Sequence, residues 1–163
     1  MVVETIIIIV IWVILLIISI NSLYQTNKKN KSKISFKESM DLTELPVITF
    51  INNNVKLNFL LDTGSNNSFI NKSILNMLDY KELNGASNII GFEGNKIENS
   101  ICEMKIEYKD YIFDTIFNIA DLDASFNVIK QEDGVQLHGI LGSLFFQKYK
   151  YVLDFQSLIA YMK

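Results

Sequence analysis

Four consecutive residues carry the chemical potential of this chain: Asp62, Thr63, Gly64 and Ser65, directly behind the apolar run Phe59-Leu60-Leu61. An apolar run that ends in a carboxylate reads as a buried strand delivering a charge to a site. Burying a carboxylate is costly unless hydrogen bonds or a function retain it. A carboxylate at a strand end can polarise a water molecule, yet one carboxylate alone is a weak general base. Two in contact cannot both ionise, so they share a proton; one accepts from water while the other donates to a carbonyl oxygen. The neighbouring residue types fit that task. Gly64 lets the backbone approach the pair closely, and Ser65 can donate a hydrogen bond to the outer carboxylate oxygen and hold its plane.

The elements that must position Asp62 follow a period of two. Val47, Thr49 and Ile51 alternate with Ile48 and Phe50, Asn52-Asn53-Asn54 turns the chain, and Val55, Leu57, Phe59 and Leu61 form the returning face. This predicts a hairpin leading into Asp62. Cys102, Met104, Ile106 and Tyr108 alternate with charged residues as a half-buried strand. Tyr108 to Tyr111 turns it into the run Tyr111–Ile119, and a last pair spans Tyr151–Phe155 and Leu158–Met162. Two short helices are expected: one capped by Asn71 and carrying Ile74, Leu75 and Leu78, the other over Ser143–Tyr149.

Of the 163 residues, 49% are hydrophobic, and much of that excess lies in the first 20. Ile6 to Ile20 would rise roughly 22 Å as a helix; with Met1–Val3 and the residues to Leu23 it can cross a hydrocarbon core of about 30 Å. No basic residue precedes the run and no small-x-small site follows it, which argues against a cleaved signal peptide. The organisation expected is a transmembrane anchor over 1–23, a polar lysine-rich linker over 24–44, and a domain over 45–163. Lys28, Lys29, Lys31, Lys33 and Lys37 follow the apolar run closely, so the domain is expected on the cytoplasmic face, with the extracytoplasmic side as the alternative. The net charge is −3 and all 15 basic residues are lysine. Without arginine, bidentate reading of phosphates or base edges has no agent, which argues against nucleic acid as a partner. One histidine and one cysteine fall short of a zinc set, so no metal and no cofactor are expected.

A second motif stands downstream: His138-Gly139-Ile140-Leu141-Gly142 followed by Ser143 to Tyr149. Two apolar residues before a glycine, then a helix and a closing hairpin, together with Asp-Thr-Gly-Ser, resemble the retropepsin-like aspartic proteases. The likeness is to single-domain bacterial members and covers Leu45 to Lys163. It implies a mainly β, closed acid-protease barrel with one or two short helices, here preceded by the transmembrane helix. It implies Asp62 as the catalytic residue, with Thr63, Gly64, Ser65, Ile140, Leu141 and Gly142 supporting its loop. The family's substrate-covering flap corresponds to Asn88–Ser100, which makes Ile90, Gly91, Phe92 and Gly94 the candidate substrate contacts. The chain departs from pepsin in having no tyrosine near that tip.

No second Asp-Thr-Gly or Asp-Ser-Gly occurs in the sequence. A complete dyad therefore requires a homodimer with two Asp62 loops on a twofold axis, where Thr63 would hydrogen-bond to the partner loop. The expected activity is hydrolysis of peptide bonds in polypeptide substrates. The alternative is a non-catalytic, membrane-tethered peptide- or protein-binding module on the same fold. His138 lacks a nucleophile elbow around Ser65 and reads as a strand-end polar residue. Cys102 reads as an inert core thiol, Asp154 as structural, and Glu132 and Asp133 as solvated loop charges.

Overall fold

A computed structural model describes residues 12–20, 35–90 and 96–163, with backbone alone for 86–90 and 96–99. The chain divides into two units, Met1–Lys33 and Ile34–Lys163. In the first unit residues 12–20 are helical, and every side chain there is exposed. Among the described residues no helix is long and apolar enough to cross a membrane. The rest of the expected span, 1–11 and 21–23, lies outside them.

The second unit is mainly β. Its strands are β1 Val47–Asn52, β2 Val55–Leu61, β3 Ser68–Asn71, β4 Lys81–Ile90, β5 Lys96–Tyr108, β6 Tyr111–Ala120, β7 Gly139–Leu141, β8 Tyr151–Asp154 and β9 Ile159–Met162. Three α-helices accompany them: α1 Phe36–Thr43, α2 Asp123–Asp133 and α3 Ser143–Tyr149. A 3-10 helix covers Lys72–Met77. The large sheet runs β1-β2-β7-β3-β6-β5-β4, and Ile51 of β1 also pairs with Glu107 of β5. Six strands thereby close into a barrel, leaving β4 outside on β5. Closure removes the sheet edges that would otherwise invite pairing with other chains. β8 and β9 form a separate two-stranded sheet.

The expected hairpin into Asp62 is present, with Val47 opposite Leu60 and Asn52 opposite Val55. Asn53 and Asn54 both take positive φ, the turn geometry asparagine tolerates best after glycine. Along β2 the alternation sends Leu57, Phe59 and Leu61 into the main core. That core is largely aromatic. Phe50 meets Phe59, Phe113 and Phe145 edge-on at centroid distances of 5.8, 5.9 and 6.2 Å, and Phe59 stacks on Phe117 at 5.5 Å. Such pairs contribute about 0.5–1.5 kcal/mol beyond their buried area.

Two segments differ from the sequence expectation. Residues 36–43, assigned to a polar linker, form α1, whose buried side chains are Phe36, Ser39 and Thr43. Two of these three are polar, and the helix's apolar edge is short: Phe36 and Met40, one turn apart, on the main core. Ser39 Oγ instead accepts the Val47 N–H at 2.9 Å and ties α1 to the start of β1. The visible signal is Ser35-x-x-Glu38: Ser35 Oγ caps the helix by accepting the Glu38 N–H. Glu132 and Asp133, read as loop charges, end α2, which stops at Gly134 in the left-handed conformation with φ 73°. The 3-10 helix does start after Asn71, but the Asn71 side chain does not cap it. Its amide reaches α2 instead, donating to Asp123 Oδ1 and accepting the Leu122 N–H.

Candidate active site

The position of Asp62 follows from the strand order. β7 lies between β2 and β3, parallel to the first and antiparallel to the second. The chain that leaves β2 at Leu61 and returns as β3 at Ser68 must therefore arch over β7. Asp62 stands at the start of that arch. Its N–H donates to Leu141 O at 2.9 Å, which continues the parallel ladder one residue past the strand. The far side of the arch is held by the segment after β7. Ser143 N–H donates to Ser65 O at 2.7 Å and Leu144 N–H to Asn66 O at 3.2 Å. Gly142 N–H donates to Ser68 Oγ at 3.1 Å.

Glycine is required where the two segments cross. A Cβ on Gly142 would collide with Asn67 O, and would lie 2.7 Å from Asn67 C and 2.9 Å from Asn66 O. All three are backbone atoms with little room to yield. Gly139 has the same constraint at the other end of β7, against Phe69 O and the Phe59 ring. The glycines of Gly139-Ile140-Leu141-Gly142 thus serve close approach, while Leu141 enters the main core and Ile140 stays half-buried.

Within the arch, Gly64 N–H donates to Asp62 Oδ1 at 2.9 Å, and Ser65 N–H contacts Asp62 O at 3.4 Å. The bond from Gly64 holds the carboxylate across the turn. Ser65 acts differently from the sequence expectation. Its hydroxyl donates to Asn67 O at 2.8 Å, so it stiffens the arch rather than holding the carboxylate. Asp62 is half-buried, whereas Thr63 and Gly64 are exposed at the crest. The structure thus brings together Asp62, Thr63, Gly64, Ser65, Ile140, Leu141 and Gly142. Ile90 ends β4 opposite Lys96 in the β4–β5 hairpin. Gly91, Phe92 and Gly94 lie outside the described residues.

The rejected candidates have structural roles. His138 Nδ1 accepts the Asn58 N–H at 2.9 Å, and its own backbone bonds Asn58 O and the Asn71 N–H. Accepting through Nδ1 requires that nitrogen unprotonated, and burial lowers the His138 pKa in the same sense. Cys102 is buried, and burial pushes its thiol up to about 11, away from thiolate chemistry. Asp154 Oδ1 accepts the N–H groups of Ser157 and Gln156 in the β8–β9 turn, and these bonds, Ser157 first, lower its pKa. Among the described residues no group of three or more His, Cys, Asp or Glu side chains could hold a metal ion.

No protein-family model and no curated protein matches the sequence. Solved structures do match the fold. The EIAV protease, in complex with an inhibitor, superposes with a TM-score of 0.51 at 25% identity, over 70% of this chain and 96% of its own. The retroviral protease-like domain of Ddi1 from Leishmania major follows with a TM-score of 0.47 at 12% identity, over 73% of this chain and 88% of that one. A retropepsin-like aspartic protease from Rickettsia conorii gives 0.42 at 19% identity, over 66% and 75%. The closed six-strand barrel and the first of these matches show a retropepsin-like chain. Within that fold Asp62 occupies the loop that arches over β7.

Proposed function

We propose that this chain is one half of a homodimeric aspartic endopeptidase. The observation that carries the reading is the arch itself: Asp62 fixed by Leu141 and Gly64, with Thr63 and Gly64 exposed at the crest. An exposed crest leaves room for a second copy to meet it on a twofold axis, with Thr63 bonding to the partner loop. Two Asp62 carboxylates in contact then share one proton. The ionised carboxylate takes a proton from water as the water oxygen attacks the carbonyl carbon. The protonated carboxyl gives its proton to the carbonyl oxygen, forming a gem-diol. Collapse breaks the C–N bond as the amine nitrogen takes a proton from one carboxyl and a gem-diol hydroxyl gives its proton to the other carboxylate, which restores the one-proton state. No covalent enzyme intermediate forms, and the chain's own carboxylates supply every proton transfer.

A tether through residues 1–23 belongs to the same proposal, with the domain on the cytoplasmic face. Its apolar run and trailing lysines support it. Confining two copies to one membrane raises their effective concentration for pairing. The testing experiment incubates the full chain and an Asp62→Asn variant with a random peptide library. The variant should keep its fold and lose hydrolysis; turnover near the wild-type rate in the variant would overturn the aspartic mechanism.

A further inference from the structure

β6 has β3 beside it only from Phe117 onward, because β3 begins at Ser68 and Ser68 pairs with Phe117. Before that point α3 takes the strand's place: Lys148 Nζ, at 2.6 Å, and the Tyr149 hydroxyl both donate to Asp114 O of β6. A helix cannot approach a strand edge as closely as a second strand does. A cavity of about 350 Å³ opens between them. That volume falls in the range of small-molecule sites, about 300–1,000 Å³. Asp62, Thr63 and Gly64 do not line it.

Its walls combine an apolar body with a few polar groups. Ile101, which pairs with Asn118 across β5–β6, supplies apolar surface together with Ile116, Leu144 and Phe145. Phe145 is buried, whereas Ile116 and Leu144 are each 55% exposed and stand at the mouth. Asn118 and Thr115 also line the cavity and are only 4% and 6% exposed. Yet Asn118 Oδ1 and Thr115 Oγ1 have no hydrogen-bond partner among the described residues. Asn118 Nδ2 donates to Ser68 O at 3.3 Å, which leaves Oδ1 as the acceptor in need of a donor. Such buried atoms are rare, because nothing offsets their lost hydration. Lys148, one turn past Leu144 on α3, is the one charged residue of the lining. Its ammonium has three donors, of which Asp114 O takes one.

We infer that this cavity binds the carboxyl end of a short peptide whose last residue is apolar. The last side chain lies against Ile101 and Phe145, and its α-carboxylate pairs with Lys148 at the mouth. The amide N–H donates to Asn118 Oδ1, and the Thr115 hydroxyl donates to the amide carbonyl. Capture of a chain-terminal carboxylate is a recurring mode of peptide recognition. The inference rests on the barrel and stands apart from the proposed function, although each hydrolysed peptide bond would create such an end.

N-acetylphenylalanine carries the carboxylate, the amide and the apolar side chain, and is the probe, titrated calorimetrically into the full chain. A ligand of about fifteen heavy atoms should bind with a Kd of about 0.1–1 mM. The uncharged N-acetylphenylalaninamide should bind about two- to fivefold more weakly. Phenylpropionate, which lacks the amide, should lose about two- to tenfold. Lys148→Met should erase the difference between acid and amide; Tyr149 still donates to Asp114 O, so the fold is kept. Ile116→Asp sets a carboxylate at the mouth on an exposed position and should weaken the acid at least about tenfold. A wild-type chain that binds no probe, or binds acid and amide equally, overturns the inference. So does acid binding that is unchanged in Ile116→Asp, which would place the ligand elsewhere.

Discussion

The two faces of the β2–β7 ladder differ in chemistry. Phe59, Leu61 and Leu141 turn into a large, mostly aromatic core that is sealed from solvent; Leu60 and Ile140, one residue out of phase, meet a smaller cluster with Phe126 as its one aromatic ring and a half-buried rim. One face fills the main core, and the other carries the half-buried residues that pack on the smaller cluster. A period of two lets a single strand serve both tasks, because consecutive residues never share a face. The two faces can then be altered almost independently, by neighbouring substitutions.

Neighbouring substitutions also offer the sharpest way to break the comparison. Phe59→Ala removes a ring packed against Phe50 and Phe117 and should cost about 3–5 kcal/mol, a large part of a small domain's stability. Leu60→Ala, on the half-exposed face, should cost about 1–2 kcal/mol. Urea unfolding of both variants measures the gap; equal losses would mean that the two faces are not distinct. Gly142→Ala tests the arch. Its methyl would press on the Asn66 and Asn67 backbone, so the expected loss is about 1–3 kcal/mol. Activity should fall further than stability alone explains, because the displaced atoms belong to the loop that begins at Asp62. An alanine variant with wild-type activity would show that the crossing tolerates a Cβ.

A smaller effect concerns pH. Folded His138 binds its proton less readily than in the unfolded chain, because burial lowers its pKa and Nδ1 accepts from Asn58. Below the ordinary histidine pKa of about 6.5 the unfolded state therefore binds more protons than the folded one. This contribution to stability is complete above that pH and is lost as pH falls through the folded pKa. The melting temperature of the wild type should decline between about pH 7 and pH 5.5, and the decline should flatten in His138→Leu. Equal slopes in the two proteins would remove His138 as its source.

Much of this architecture could be read from residue order because the signals are local. Alternation marks β1, β2, β5 and β6, paired asparagines mark the first turn, and Gly142 followed by Ser143 opens α3. The parts that escaped have partners far along the chain. β3 and β7 are too short to show a period, and β7 gains meaning only when it inserts between β2 and β3. α1 buries two hydroxyls beside the single pair Phe36 and Met40, too short an apolar pattern to mark a helix, so its capping pair is the clearer signal. α2 has just Phe126 and Ile129 at helical spacing, and its stop signal is Gly134. Of the site, Asp62 and the residues beneath it were legible from two motifs in order. The role of Ser65 was not, because which acceptor its hydroxyl meets depends on the curvature of the arch.

The central claim is that two copies of Asp62 make one site. It is tested most directly by mixing wild-type and Asp62→Asn chains, at fixed total concentration, under conditions that let subunits exchange. If each active site needs both carboxylates, activity follows the square of the wild-type fraction, so an equal mixture retains about a quarter of the wild-type rate. A linear decline, leaving about half the rate in that mixture, would mean that each chain hydrolyses peptides on its own and would contradict the shared dyad.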